Sequence, residues 1–327
     1  MTHKKIAEIA NVSVSTVSKA LSGSKEINAR LADKIIDTAI ELGYFKEKGQ
    51  RKLENLKKKS PVIAVICPEI VSIFYSSVIT MLKDTIEENG GQISVYISDF
   101  SEDKLNGIIR TLIVRGSADG VISFDNPTLG FLPHIPILCF STSEVPDWCD
   151  CAGYDADGVM HDAVKHLKSL GHTKIGFIGE TLTMSKFESF KNAVIGCGLD
   201  FNPDYCRIEN CRFEKIGKNA AENLIKSKSG ATAYIAAYDE IALSFVHELE
   251  KNGISVPDDI SVMGINDIPS SSYAQTPLTT VNFFDKKQLS KAVKKLLEKI
   301  FTGRTEQFRI KLSHRLIIRE STGVAKK

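Results

Sequence analysis

Five small polar or cationic side chains, Ser13, Ser15, Thr16, Ser18 and Lys19, fall within seven residues near the N-terminus. Hydroxyls that donate and accept, followed by a long cation, suit contacts to phosphate oxygens and base edges. That chemistry needs an element presenting the groups outward together. In Lys4 to Leu21, KKIAEIANVSVSTVSKAL, the apolar residues Ile6, Ile9 and Ala10 form one helical stripe, and Val14, Val17, Ala20 and Leu21 form a second. Asn11, Val12 and Ser13 supply a turn between them. Two short amphipathic helices across a tight turn predict a helix-turn-helix, whose second helix enters the DNA major groove with its N-terminal residues foremost. An ordinary helical hairpin with polar faces has the same spacing, so spacing alone leaves that alternative open.

Asn28 is placed to cap a third helix over about Ala29 to Leu42, with Leu31, Ile35, Ala39 and Leu42 facing the first two and Gly43 as the stop. Residues 1–45 therefore form a small all-α headpiece. Residues 46–60 then carry seven Lys/Arg against two Glu. This stretch reads either as a solvated basic linker or as a short hinge helix that forms on DNA, with Leu53 or Leu56 wedged into a minor-groove step. Residues 1–61 hold 13 Lys/Arg and 7 Asp/Glu, a net of +6, and the whole chain carries only +2, so the rest is mildly acidic at −4. A basic end on an acidic body suits a polyanionic partner at one end only.

From residue 61 to 327 short apolar strands alternate with helical segments: VIAVIC, ISVYIS, DGVISF, IPILCF, KIGFIG, ATAYIAAY and ISVMGI. Repeated strand–helix units predict parallel, doubly wound sheets covered on both faces. Two such sets, dividing near Asp155, predict a two-lobed body. Ligands in these folds bind beyond the carboxyl ends of strands, which places a small-molecule site in the cleft between lobes.

Other chemistries find little support. Seven cysteines scattered from Cys67 to Cys211 are not a disulfide framework, and reduced thiols are expected. Neither Cys149-x-Cys151 nor Cys206-x4-Cys211 has structural zinc spacing, so no metal is expected. Gly-x-Ser-x-Gly, Walker-type and HExxH motifs are absent, and His161, His166, His172 and His247 lack a convincing nucleophile partner. No enzyme activity and no cofactor are expected. No stretch approaches the ~20 apolar residues of a membrane span, and no secretory h-region opens the chain, so a cytoplasmic protein is expected.

The headpiece, the basic segment, HLKSLGHTKIGFIG, VPDDISVMG, TPLTTV and the closing RLIIREST together give this chain a resemblance to the lactose/galactose repressor family over nearly its whole length. The resemblance implies a body similar to type I periplasmic binding proteins, a homodimer on a pseudo-palindromic double-stranded DNA operator, and a small effector, commonly a sugar or sugar derivative. Closure of the lobes would then alter operator binding, and repression of carbohydrate-utilisation genes is the expected role. A protein corepressor, a non-sugar ligand or a solute-binding protein for transport are the alternatives, the last opposed by the headpiece.

Under this resemblance Ser13 and Thr16 correspond to phosphate or base-edge contacts, and Val14, Ser15 and Lys19 to base readers, with Ser18, Asn28 and Tyr44 beside them. Lys19 stands where the family usually has Arg, so a flexible point charge replaces a bidentate fork. Arg51 and Leu53 fall on the hinge, where Leu53 corresponds to the wedge and Gly49 weakens the helix. In the cleft the resemblance points to Phe74 and Tyr75 as an aromatic platform, with Asp155, Lys186, Tyr238, Asp239 and Asn266 as polar ligands. Lys186 replaces a family Arg, Tyr238 a common Asn, and Asn266 the first of two acids. Asp239 has an alternative reading as a helix cap, and Phe74 or Tyr75 as ordinary core.

Overall fold

The computed structural model describes residues 2–22, 24, 26–45, 60–141, 144–227 and 230–326. The hinge residues Arg51 and Leu53 lie outside them. The described chain forms two compact units. The N-terminal unit comprises residues 1–153 and 286–311, and the C-terminal unit 154–285 and 312–327. The chain therefore crosses between units again after Asp285 and after Lys311, two exchanges that a single division near Asp155 does not disclose.

The N-terminal unit begins with three helices, α1 (His3–Ala10), α2 (Val14–Leu21) and α3 (Ala29–Glu41). Ile6, Ala7, Ala10, Val17, Ala20, Ile35, Ala39 and Phe45 are buried where they meet. Ile9 and Val14, both in the apolar stripes of the sequence, lie outside this core and are exposed at 52% and 47%. With helices this short, three or four inward positions each suffice to close the core. Asn11 ends α1 in the left-handed region, φ 55°, which turns the chain directly into α2.

Behind the headpiece, β1 (Val62–Cys67), α4 (Ile73–Glu88), β2 (Gln92–Ile97), α5 (Glu102–Arg115), β3 (Gly120–Ser123), β4 (Ile137–Ser141) and β5 (Asp150–Tyr154) follow in order. The returning α11 (Lys286–Thr302) and β11 (Arg309–Leu312) complete this unit, whose sheet order is β11-β5-β4-β3-β1-β2. β1 pairs in parallel with β2 and β3, and its five residues after Val62 are all buried, as a central strand covered on both faces requires. A buried ion pair joins Lys299 on α11 to Asp150 on β5 at 2.8 and 2.9 Å. Phe308 N–H also donates to Asp150 at 3.0 Å, so one carboxylate fixes the returning helix and the strand after it.

The C-terminal unit runs α6 (Ala156–Ser169), β6 (Ile175–Glu180), α7 (Met184–Gly196), β7 (Arg207–Glu209), α8 (Glu214–Ser227), β8 (Ala233–Ala236), α9 (Asp239–Lys251), β9 (Ser261–Ile265), α10 (Ser270–Tyr273), β10 (Thr279–Asn282) and β12 (Arg315–Ile317). Its sheet order is β12-β10-β9-β8-β6-β7, with all neighbours parallel except the antiparallel pair β10 and β12. Helices α8 and α9 pack so closely that a Cβ at Gly217 would stand 2.3 Å from the Ile241 carbonyl oxygen. His172 is nearly inaccessible and binds Thr232 at 2.8 Å and Ser261 at 3.0 Å, a structural role that joins the strands to the C-terminal segment. Burial holds its imidazole below the usual histidine range.

Candidate DNA interface and effector site

Ser13 caps α2, its hydroxyl accepting from Thr16 N–H at 3.0 Å and pairing with the Thr16 hydroxyl at 2.8 Å. The two hydroxyls thus shape the N-terminus of α2 while remaining at the surface. Val14, Ser15, Ser18 and Lys19 are exposed along the same helix, and Val17 and Ala20 hold its opposite side in the core. Lys19 makes an ion pair with Glu26 at 2.5 Å. Asn28 caps α3 by accepting from Arg30 N–H at 2.9 Å. Tyr44 packs at the base of the headpiece, its hydroxyl 2.9 Å from His3 Nε2 and its ring 5.2 Å from Phe45 edge to face. Short outward groups around a helix N-terminus, with cations alongside, form a surface that phosphates and base edges can approach.

The headpiece is also fixed to the sheet behind it. Asp37 on α3 takes a two-pronged ion pair from Arg110 on α5, Nε at 2.9 Å and Nη2 at 3.2 Å, with both side chains about four-fifths covered. Leu129 and Phe131 join the same apolar cluster as Ile35 and Ala39. A forked, partly desolvated pair is the strong form of a charge-assisted bond.

At the strand ends of the N-terminal unit, Ser72 caps α4 by accepting from Phe74 N–H at 3.2 Å. The half-buried rings of Phe74 and Tyr75 meet at 5.1 Å, and Tyr75 continues to Phe124 at 5.5 Å, which stacks on Phe140. Asp125 follows β3 and accepts from the Ser98 hydroxyl at 3.1 Å. Burial raises its carboxyl above the usual carboxylate range, against the lowering effect of Ser98. Phe124 and Asp125 were missed by sequence reasoning, although DGVISF placed the strand that ends at them.

The strand ends of the C-terminal unit carry more charge. Part of Lys186 on α7 remains accessible, but its ammonium is enclosed by protein and donates to the Ala237 carbonyl at 2.8 Å. Desolvation lowers its pKa to about 8, although Asp239, Glu240 and Glu180 act the other way. Glu180 ends β6 and is 3% exposed, with its Oε2 2.7 Å from Arg212 Nε. The Arg212 guanidinium lies 4.5 Å above the Phe213 ring, and Phe213 contacts Tyr238 at 5.8 Å. The Tyr238 hydroxyl accepts from Phe213 N–H at 3.2 Å, and burial pushes its pKa up. Glu180, Arg212 and Phe213 also escaped sequence reasoning; Arg212 and Phe213 follow β7, which is only three residues long and gives no periodic signal.

Asp239 and Asn266 differ sharply. Asp239 has no exposed surface and accepts from Ile268 N–H at 2.8 Å, the Ser271 hydroxyl at 2.9 Å and the Thr280 hydroxyl at 2.6 Å. Its carboxyl is pushed up to about 6 by burial. A Cβ at Gly264 would stand 2.1 Å from its Oδ1, so the glycine of VMGI admits this carboxylate. Asp239 is therefore not the helix cap that the sequence offered as its alternative, since Tyr238 holds the N-cap position without a side-chain bond; its carboxylate instead clamps the start of α9 to β10 and to the turn before α10. Asn266 has φ 116°, rare for a side-chain-bearing residue, and its backbone N–H bonds Val281 at 2.9 Å. Its side-chain oxygen is buried without a hydrogen-bond partner. The adjacent Asp267 is occupied internally by Arg319 at 2.6 Å and Asn282 at 3.1 Å. Asp155 caps α6, accepting from Gly158 N–H at 2.8 Å. Among the described residues no cluster of metal-ligating side chains is found, and no helix is long and apolar enough to cross a membrane.

A helix-turn-helix headpiece on a body of two parallel doubly wound sheets is the architecture of a DNA-binding regulator with a periplasmic-binding-protein-like body. Residues 2–47 match the model for bacterial regulatory proteins of the lacI family, and residues 164–322 match that for a periplasmic binding protein-like domain. The chain is 26% identical to catabolite control protein A of Priestia megaterium, over 97% of its own length and 98% of the relative's. It is also 26% identical to the ribose operon repressor of Haemophilus influenzae, over 98% of both chains. A solved LacI family transcriptional regulator from Enterococcus faecium with bound ribose superposes with a TM-score of 0.69 at 23% identity, covering 81% of this chain and all of that one. The chain thus joins a lacI-family DNA-binding headpiece, residues 2–47, to a periplasmic-binding-protein-like domain, residues 164–322.

Proposed function

We propose that this protein is a cytoplasmic, effector-responsive repressor of carbohydrate-utilisation genes that binds a pseudo-palindromic operator as a homodimer. The observation that carries the reading is the exposed face of α2, Ser15, Ser18 and Lys19 with Val14 beside them, on a capped helix within a lacI-family headpiece. Relatives named as repressors along almost the whole chain support it. Phosphate contacts by the headpiece position it, and the few side chains at base edges supply discrimination.

The effector is a sugar or sugar derivative, held at the strand ends of the C-terminal unit by the unmatched Asn266 oxygen, Lys186 and the Arg212–Phe213–Tyr238 stack. Sugar hydroxyls both donate and accept, which suits an open amide oxygen and a cation at the strand ends of one sheet, and an aromatic face suits the C–H side of the ring. Asp155 belongs to the same proposed set, and Phe74 and Tyr75 are separate effector candidates at the strand ends of the N-terminal unit. Effector binding shifts the population between a DNA-competent and a DNA-incompetent body, and a coupling of about 1–3 kcal/mol changes operator affinity by roughly 5- to 150-fold.

A thermal-shift screen of sugars and sugar phosphates, followed by operator binding with each stabilising compound, tests the reading. A compound that both stabilises the protein and alters DNA affinity is expected. A stabilising sugar whose effect is unchanged in Lys186→Ala and Asn266→Ala would overturn the assigned effector site.

A further inference from the structure

The loop after α2 is tied back to the end of that helix. Ser22 Oγ donates to the Lys19 carbonyl at 3.0 Å, and Ser24 N–H donates to the same oxygen at 3.0 Å. Glu26 N–H then donates to Ser24 Oγ at 3.3 Å. This chain of bonds carries Glu26, seven residues beyond Lys19 in sequence, to the surface where Lys19 projects. Its carboxylate meets the Lys19 ammonium at 2.5 Å, with 47% of the lysine side chain and 69% of the glutamate side chain exposed. The Lys19 hydrogen bond and charge hold the Glu26 carboxyl below the usual glutamate range. Among the described residues no other side chain pairs with Lys19.

We propose that Glu26 is a specificity-determining residue of the DNA interface, an internal competitor that occupies the Lys19 ammonium until a guanine edge displaces it. The inference rests on α2 being the reading helix. A lysine is a point donor that is satisfied by any phosphate oxygen as readily as by guanine O6 or N7. Left unopposed on an exposed helix, it adds one counterion-releasing contact to every DNA sequence. With Glu26 in place, a phosphate contact by Lys19 requires breaking the ion pair while a carboxylate stays near the phosphates. A guanine presenting two acceptors in the groove offers more in exchange than a single phosphate oxygen. The headpiece thus recovers by competition part of the discrimination that an arginine fork supplies by geometry.

The test measures binding of the full chain to a random-sequence duplex, and to a duplex enriched by selection with the wild-type protein, over a series of salt concentrations. Glu26→Gln is expected to bind the random duplex about three-fold more tightly at low salt. Its slope of log affinity against log salt should steepen by about 0.9, the value of one added phosphate contact. The preference for the enriched duplex should fall. In a Lys19→Met background the same substitution should leave slope and preference unchanged. Both residues are exposed, and Glu26→Ser repeats the test if the glutamine variant does not fold. Equal slopes for wild type and Glu26→Gln would overturn the proposal, as would an equal gain in the Lys19→Met background, which would make Glu26 a bare repelling charge. Failure of the wild type to bind either duplex would instead overturn the DNA-binding reading itself.

Discussion

The surface around α2 and the strand ends of the C-terminal unit both gather polar side chains, but they bind them over very different distances along the chain. In the headpiece Ser13 meets Thr16, Lys19 meets Glu26 and Asn28 meets Arg30, all within seven residues. At the strand ends Lys186 reaches Ala237, Asp239 reaches Thr280 and Asp267 reaches Arg319. Local polar groups remain at the surface and available to a partner. Long-range ones are absorbed into the fold, so that a carboxylate there is first of all a structural part. An atom left unmatched in such a place, as Asn266 Oδ1 is, then stands out against saturated neighbours.

The comparison breaks first at Asp239. Asp239→Ala strands the Ile268 N–H and two hydroxyls, and chemical denaturation should show a loss of roughly 3 kcal/mol or more. Because its folded-state carboxyl titrates near 6 and its ordinary value is 3.8, the native chain retains a proton that the unfolded chain releases between those values. Asp239 therefore makes stability fall as pH rises through that window, and the variant should lose this component. Full stability of Asp239→Ala with a lost effector response would return it to the ligand set.

Lys186 has the opposite sign and a smaller expected effect. Its ammonium titrates near 8 in the fold against an ordinary 10.5, so the unfolded chain binds the extra proton between these values and stability rises with pH across them. Lys186→Met removes a desolvated charge and should raise the melting temperature by about 2–4 °C at neutral pH while abolishing that rise. It should also abolish the effector-induced shift. A lower melting temperature would mean that the Ala237 bond outweighs desolvation.

In the headpiece, Ser13→Ala should cost about 1 kcal/mol through the lost cap, read by the helical signal of the headpiece, and should weaken DNA binding further than instability alone explains. The smallest stability effect belongs to Asn266→Ala, within about 0.5 kcal/mol because no protein partner is lost, together with loss of effector response. A large destabilisation there would show that Asn266 serves the fold.

The same contrast explains what was legible in the chain. The three headpiece helices, the cap at Asn28 and the alternation of strands and helices are local patterns, and they appear in the structure nearly where the sequence places them, whereas Ser13, read as part of the turn, proves to cap α2. Ile9 is exposed because an eight-residue helix needs few inward positions, which periodicity alone does not count. The return of α11 and β11 to the N-terminal unit rests on the Asp150–Lys299 pair, 149 residues apart, and no window of sequence contains both. Lys186 and Asn266 are proposed through family resemblance, whereas Glu180 comes near Lys186, and Arg212 near Glu180, only through the order of strands β7-β6-β8. Which acid is saturated and which amide is open depends on geometry that residue type does not carry.

Helix α2 is proposed to read DNA and the body that follows it to answer to a small molecule. Selection of duplexes from a random pool by the full chain, with binding of the enriched sequence followed against salt, tests it most directly. Enrichment of an inverted repeat is expected, bound well above random DNA, with affinity that falls steeply with salt and loses its sequence preference in Lys19→Met. Recovery of no common sequence, or equal binding of enriched and random duplexes, would contradict it.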